Sequence, residues 1–225
     1  MSRLAIICMS LCLALLTGCA AQQTHRTIDA PTVNTYNSSY SGPRAAIVVG
    51  DFDNRSDYAR GLFSSGTDRL ASQAKTVLKT HLQQTNRFSL MDRDSTSVAA
   101  TEAGYLKQTQ NIKGARYAVT GAITEFGRKE VGDKQLFGLL GAGKQQIAYA
   151  KVQLNIVDVL TSEVVQATQG AGEYALSERE VLGFGSNAGY DATLNGKVLD
   201  LAVREAVNQL VNSIEQGRWD PQGTR

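Results

Sequence analysis

The sequence predicts an α/β (α+β) body, a mixed sheet with packed helices, that carries two long glycine-rich β-hairpins. Three observations predict it. From residue 45 onward, apolar β-branched runs alternate with amphipathic helical stretches. Twelve of the twenty-one glycines fall between Gly121 and Gly196, which suits turns and close backbone approach better than helices. One stretch alternates without a break: Ala148, Ala150, Val152, Leu154 and Ile156 against Tyr149, Lys151, Gln153 and Asn155. That is the period of a strand with one buried face.

The chain opens with Arg3 as a short positive region and an apolar run from Leu4 to Leu16. The run has the length of a signal peptide and is too short to span a bilayer as a helix. It ends in Leu16-Thr17-Gly18-Cys19, which matches the lipobox of bacterial lipoproteins. Residues 1–18 therefore read as a removed signal, and Cys19 as the lipidated first residue of the mature chain. Neutral Ala20 after the cysteine implies sorting to the outer membrane, with the folded body facing the periplasm. Stable anchoring takes more than one acyl chain, and lipoprotein processing supplies three.

Cys8 and Cys12 leave with the signal and Cys19 carries lipid, so no thiol remains for a disulfide or a metal site. A net charge of +2 points to neither nucleic acid nor a strongly acidic partner. Residues 19–44 are rich in Gln, Thr, Asn and Ser, with Pro31 and Pro43, and read as a tether. After Pro43 no proline occurs until Pro221. The folded domain is expected over 45–221, leaving 222–225 as a tail.

Ala45-Ala46-Ile47-Val48-Val49 is a buried strand. A long polar loop from Asp51 to Gly66 follows, carrying Tyr58 and Phe63. Its aspartates do not have the spacing of a calcium loop, so the loop reads as solvated or pore-facing. Thr67 or Asp68 caps a helix whose stripe is Leu70, Ala74, Val77, Leu78 and Leu82. His81 lies beside that stripe without partners at ligand spacing and reads as structural. A short strand follows at Phe88-Ser89-Leu90-Met91, then a polar helix over 92–110, interrupted at Gly104, then a strand over 115–123.

Two arms occupy roughly 121–157 and 164–194, with hairpins at about 124–150 and 172–192. The tip of the first is Leu136-Phe137-Gly138-Leu139-Leu140-Gly141-Ala142-Gly143, bracketed by Asp133, Lys134, Lys144 and Gln145. A turn in water is polar; this one is the most apolar point of its neighbourhood. Leu136, Phe137, Leu139 and Leu140 are therefore the candidate membrane-contacting residues, the other reading being a buried packing corner. The last helix keeps apolar spacing over 197–216 and stops at Gly217. Its stripe is expected on the sheet begun by Ile47 to Val49, with Trp219 either a lid on the helix or an interface anchor.

No Walker lysine or strand–glycine–helix context accompanies the glycine clusters. No nucleophile elbow or catalytic carboxylate pair appears. The chain reads as non-enzymatic, without cofactor or metal.

Several of these segments carry a resemblance. The lipobox, the Asn86-Arg87-Phe88 helix end, Val119-Thr120-Gly121-Ala122-Ile123, the strand Ala148 to Val157 with Thr161-Ser162-Glu163, and the closing Ile214-Glu215-Gln216-Gly217-Arg218-Trp219-Asp220 are together similar to the curli secretion channel lipoprotein family. The resemblance covers about 45–221. It implies an α/β periplasmic domain related to anticodon-binding-like and TolB N-terminal folds. It also implies two β-hairpins per subunit that join a homo-oligomeric outer-membrane barrel exporting unfolded fibre or adhesin subunits. The family's constriction loop presents tyrosine, asparagine and phenylalanine; Tyr58 and Phe63 stand in the corresponding loop here, in a different local pattern. The second arm is also shorter than in the curli channel. The competing reading is a periplasmic lipoprotein that binds an envelope partner, such as an activator of cell-wall synthases. Cys19→Ser should abolish metabolic palmitate labelling and shift the protein out of the membrane fraction; retained label would refute lipidation at this residue.

Overall fold

The structure, a computed structural model, describes residues 30–58, 68–134, 142–179 and 194–222; for 130–134, 142–146, 176–179 and Leu194 only the backbone is considered. Five strands make one sheet: β1 (Ala45–Asn54), β2 (Phe88–Met91), β3 (Tyr117–Lys134), β4 (Ala142–Asp158) and β5 (Val164–Arg179), in the order β2-β1-β3-β4-β5. β1 is parallel to β2 and β3, while β3, β4 and β5 form an antiparallel meander. Three helices complete the body: α1 (Arg69–Gln84), α2 (Thr96–Tyr105) and α3 (Leu194–Glu215).

α1 and α3 pack against each other on one face of the sheet, α1 over β1 and β2, α3 over β4 and β5. Ile47, Val119, Ile123, Val152 and Leu154 of the sheet meet Leu78, Leu82, Leu199, Val203 and Leu210 of the helices in a fully buried core. Asp68 is the cap of α1: its Oδ1 accepts from the backbone N–H of Leu70 at 2.8 Å and of Ala71 at 3.0 Å. α3 packs its stripe on the sheet begun by Ile47 to Val49, as expected, but sits over β4 and β5 rather than over β1 itself. Two glycines draw it to the far side of the sheet. A Cβ at Gly170 would collide with the backbone of Ala202 and Ala206, and one at Gly172 would press on Leu201. β5 therefore takes the helix at backbone contact, and Thr168 Oγ1 adds a hydrogen bond to Ala206 O at 3.0 Å. The space over β1 belongs to α1.

Helix α2 is shorter than the polar pattern over 92–110 suggests. It covers Thr96–Tyr105, buries none of its residues, and its cap residue Ser95 makes no side-chain cap bond. Gly104 and the following positive-φ Lys107 (53°) close it.

Residues 31–43 lie along the body. Val33 is buried, and Asn34 N–H donates to Asn208 Oδ1 on α3 at 3.0 Å. Arg87 Nη1 donates to Ser38 Oγ at 2.8 Å, its Nη2 to Glu215 Oε1 at 2.6 Å, and its guanidinium lies 4.8 Å from the Tyr40 ring centre. Trp219 is a core lid: its ring meets Phe88 at 6.3 Å and Tyr117 edge-on at 5.5 Å. Gly217, at φ +67°, makes the turn that brings it there.

Between the helices, buried His81 bridges α1 to α3. Its Nε2 lies 2.9 Å from Asp200 Oδ1, and its Nδ1 3.1 Å from Gln84 Oε1. The histidine is structural, as its position beside the stripe suggests. Gly170→Val should lower stability by at least about 1–3 kcal/mol, because the backbone it meets cannot yield. Gly114→Ala, at a site with nothing within 4 Å of the added carbon, should stay within about 0.5 kcal/mol. Denaturant midpoints of the two variants check this.

Candidate functional site

The arms start where β3 leaves β1. Pairing between them ends at Asn54 opposite Ile123, but β3 and β4 stay paired from Tyr117 opposite Asp158 to Lys134 opposite Ala142. β5 follows β4 almost as far, to Arg179 opposite Gly143. β5, where the second arm is expected to begin, is thus hydrogen-bonded to β4, and the described lengths of β3, β4 and β5 form one ribbon. The turn at 135–141 and the return stretch 180–193 lie outside the described residues, as do Cys19, Phe63 and the tip side chains Leu136, Phe137, Leu139 and Leu140.

A β-bulge sits at the root. Ile123 faces Val152 and Glu125 faces Lys151, so Thr124 is the extra residue. Its Oγ1 donates to Lys151 O at 3.3 Å. One extra residue inverts the side-chain alternation of β3. Below the bulge, Val119 and Ile123 face the helices; above it, Phe126 and Arg128 do. This is why the alternation of β3 is unreadable in the sequence while that of β4 is plain.

The inversion gives the root its contacts. Phe126 is buried, with the Tyr58 ring edge-on at 4.9 Å. Arg128 Nε donates to Asn195 Oδ1 at 2.8 Å, and Asn195 Nδ2 donates to Tyr58 Oη at 3.0 Å. Asn195 is thus a two-sided clip between the arm, the start of α3 and the loop after β1. Tyr58, the loop residue predicted to face a pore, is held against this root. The sequence marks Asn195 only as a candidate start of the last helix and does not mark Phe126, since the clip exists only once the bulge has turned β3.

The charges of the arm also find partners. On the opposite face Lys151 Nζ meets Glu125 at 3.3 Å, and Lys129 Nζ meets Glu173 at 3.7 Å. All four are well exposed, so these pairs add little stability; their effect is to remove single charges from the ribbon's surface. Gly127 lets Tyr149 lie flat across β3, since a Cβ there would clash with the ring.

A concavity of about 460 Å³ opens between the end of β1 and α1, lined by Asp51, Asp53, Asp68, Lys75, Lys79 and Asp94. Its charges are spent on one another. Lys79 contacts Asp92 at 2.7 Å and Asp94 at 2.6 Å, and Lys75 contacts Asp94 at 3.2 Å. The hydrogen bond from Lys79 holds the Asp92 carboxyl at about 2 and lowers that of Asp94. Burial alone would lower the Lys79 ammonium, but its bonds to both aspartates outweigh this and raise it. Among the described residues no group of three His, Cys, Asp or Glu is placed to hold a metal ion, and no helix is long and apolar enough to cross a membrane.

Residues 34–223 match the family model described as curli production assembly/transport component CsgG. The chain belongs to the CsgG family. A relative in Neisseria meningitidis serogroup B, "Putative lipoprotein NMB1126/NMB1164", is 60% identical over 206 residues, covering 92% of each chain. Among solved structures, a PelC dodecamer from Paraburkholderia phytofirmans is similar at 14% identity and a TM-score of 0.36, over 76% of this chain and 93% of that one. Lipoprotein GNA1162 from Neisseria meningitidis is similar at 15% identity and 0.32, over 76% and 99%. At TM-scores this low neither likeness bears on function or assembly. The family match covers the sheet, the described part of the arm and α3, but not the lipobox. Asn195→Ala should cost about 1–2 kcal/mol and speed amide exchange of residues 125–129 relative to the α1–α3 core; exchange mapped by mass spectrometry checks it.

Proposed function

We propose that this CsgG-family chain is an outer-membrane lipoprotein, anchored through Cys19 and facing the periplasm. It serves as one subunit of a curli-type export channel for unfolded fibre or adhesin subunits. The reading includes no enzymatic step, cofactor or metal. Its partners are outer-membrane lipid, further copies of itself in a ring, the exported polypeptide and other envelope lipoproteins. Nucleic acid is not among them.

The observation that carries this is the ribbon beyond the body. From Arg128 to Lys134 the paired backbone of β3 runs on for six positions, ~20 Å at the rise of a strand, toward the apolar stretch 136–140. β1 no longer accompanies it, so the outer edge of β3 is unpaired with β1 there, and β5 is the last strand of the sheet on the other side. Among the described residues both edges of this ribbon lack a neighbouring strand; such edges are a liability in water and are inadmissible in hydrocarbon, where only a closed barrel satisfies every backbone group. Closure between subunits supplies those partners. Tyr58 and Phe63 belong, in this reading, to the loop at the periplasmic mouth. The ion pairs Lys151–Glu125 and Lys129–Glu173 sit at the root, below the depth at which a lipid-facing charge costs about 2–4 kcal/mol.

A second reading rests on the length of that same ribbon. Among the described residues, the six positions beyond Arg128 are fewer than the 9–11 residues of a tilted spanning strand. An arm of that reach also suits a lipoprotein that touches the bilayer with its tip and binds and regulates an envelope partner, in the manner of a cell-wall synthase activator. Planar-bilayer conductance separates the two. Detergent-extracted wild type should form rings and conduct. Leu139→Asp with Leu140→Asp should lose insertion and conductance while the far-ultraviolet circular dichroism and melting of the body stay unchanged. A wild type that remains monomeric and silent would leave the partner-binding lipoprotein.

A further inference from the structure

Residues 31–43 are seated on the body as a strap with a direction. Val33 is buried among the core residues, and Asn34 N–H donates to Asn208 Oδ1 at 3.0 Å. Two short turns follow: Tyr36 N–H donates to Val33 O and Ser38 N–H to Thr35 O, each at 3.0 Å. Asn37 stands between them at φ 63°, a left-handed setting that asparagine accepts more readily than most residues. Ser38 Oγ donates to Thr35 O at 2.7 Å and accepts from Arg87 Nη1 at 2.8 Å. Thr85 O and Glu215 hold Arg87 in turn. Thr35 Oγ1 is buried and finds no partner among the described residues. Closing the strap therefore leaves one hydrogen bond unmade, and a sustained pull can open it.

α3 sets the height of this strap. Asn195, near the start of the helix, is bonded to Arg128 at the arm root. Asn208, which receives the strap, stands thirteen residues further along, about 20 Å at the helical rise. From there the strap runs away from the arm, meeting Glu215 near the helix end through Arg87. Ala45 then enters the sheet at the far end from the arm, its N–H bonded to Arg87 O at 3.2 Å. Followed backwards, the strap carries the chain from the base of the body toward the arm before releasing it to the tether. Val33 is fourteen residues from Cys19. A flexible chain of that length relaxes to about 20 Å end to end, and it reaches about 50 Å at most.

We propose that the strap is a depth gauge: docked on α3, it holds the arm root at the bilayer surface. The relaxed span of the tether equals the distance from Asn208 to the root, so an acylated Cys19 lies level with Arg128 without tension. Standing the body on the end of the arm instead would add the ~20 Å from Arg128 to Lys134 and draw the tether close to its limit. With the strap open, the tether would begin at Ala45, twelve residues after Val33, and the longer leash would no longer fix the height of the body. The gauge rests on the anchoring at Cys19 proposed above, and not on whether the arm closes a channel.

Tether deletions test it, in the lipoprotein reconstituted in phospholipid vesicles. Removing residues 24–29 leaves Val33 eight residues from Cys19, about 28 Å at full stretch, enough to reach the root. Removing residues 20–29 leaves four, about 14 Å, which is too short. Amide exchange over Asn34, Tyr36 and Ser38, read by mass spectrometry, should be slow in the wild type and the shorter deletion. It should be at least tenfold faster in the longer one. The same deletions with Cys19→Ser, exported behind an ordinary cleavable signal, have no anchor to pull against and should leave exchange slow. Val33→Asp gives the rate of an open strap. A wild type exchanging at that rate overturns the gauge, as does a strap that opens in the shorter deletion, stays closed in the longer one, or opens equally without lipid. A wild type without palmitate label removes the anchor and the gauge together. A wild type silent in planar bilayers that still opens only in the longer deletion loses the channel and keeps the gauge.

Discussion

Much of the folded body is tied to α3, and α3 is where it is because two glycines of β5 leave room for its backbone. A methyl group at Gly170 would meet Ala202 and Ala206 head-on. Contact at that range brings Ala202, Val203, Ala206 and Leu210 down onto Val152, Leu154 and Ile156 with no exposed remainder. Each further part is then fixed to the helix at a different height. Asn195 near its start holds the arm and Tyr58. Asp200 holds α1 through His81. Asn208 holds the segment after Pro31, and Glu215 near its end holds Arg87. None of these polar links is strong by itself, at about 0.5–1.5 kcal/mol net each. They matter as locators, because the apolar surface beneath them would tolerate sliding and the hydrogen bonds would not.

This arrangement separates the molecule into a stiff part and a reaching part. The core of α1, α3 and the sheet has the packed density at which side chains cannot move independently. The ribbon of β3, β4 and β5 leaves that core with hydrogen bonds along its length but no helix above it. One chain thus joins a body packed to keep its fold in water to a projecting ribbon whose outer edges have no neighbouring strand among the described residues.

What could be read in advance follows from how local each signal is. β4 was legible because its buried face alternates for nine residues without interruption. α1 and α3 were legible because apolar spacing of 3.6 persists over four turns or more, and Asp68 is a cap that any helix of this start would use. The bulge at Thr124 was not, since a threonine in a strand looks the same whether it pairs or bulges. Its effect, the burial of Phe126 and the inward turn of Arg128, cannot be seen without it. The seat of α3 over β4 and β5 was hidden for a related reason: a glycine that receives a helix and a glycine that makes a turn share one letter. Residues 31–43 read as tether because a single valine among amides and hydroxyls gives no period. They are held by Asn208 and by Arg87, which Glu215 fixes in turn, none adjacent in sequence. α2 was overextended because a polar stretch with good helix formers has no internal stop signal apart from Gly104.

The extra residue at Thr124 also constrains how this arm can change its length over time. Beyond the bulge, every side chain of β3 owes its face to a count that is odd by one. A single-residue insertion or deletion between Thr124 and the tip would turn all later positions of that strand over, exchanging the surface toward the helices for the one toward open space. A paired change of two residues would not. This arm is therefore free to lengthen or shorten in even steps on a strand, or by odd steps only where a second bulge restores the count. Reach and facing are inherited together.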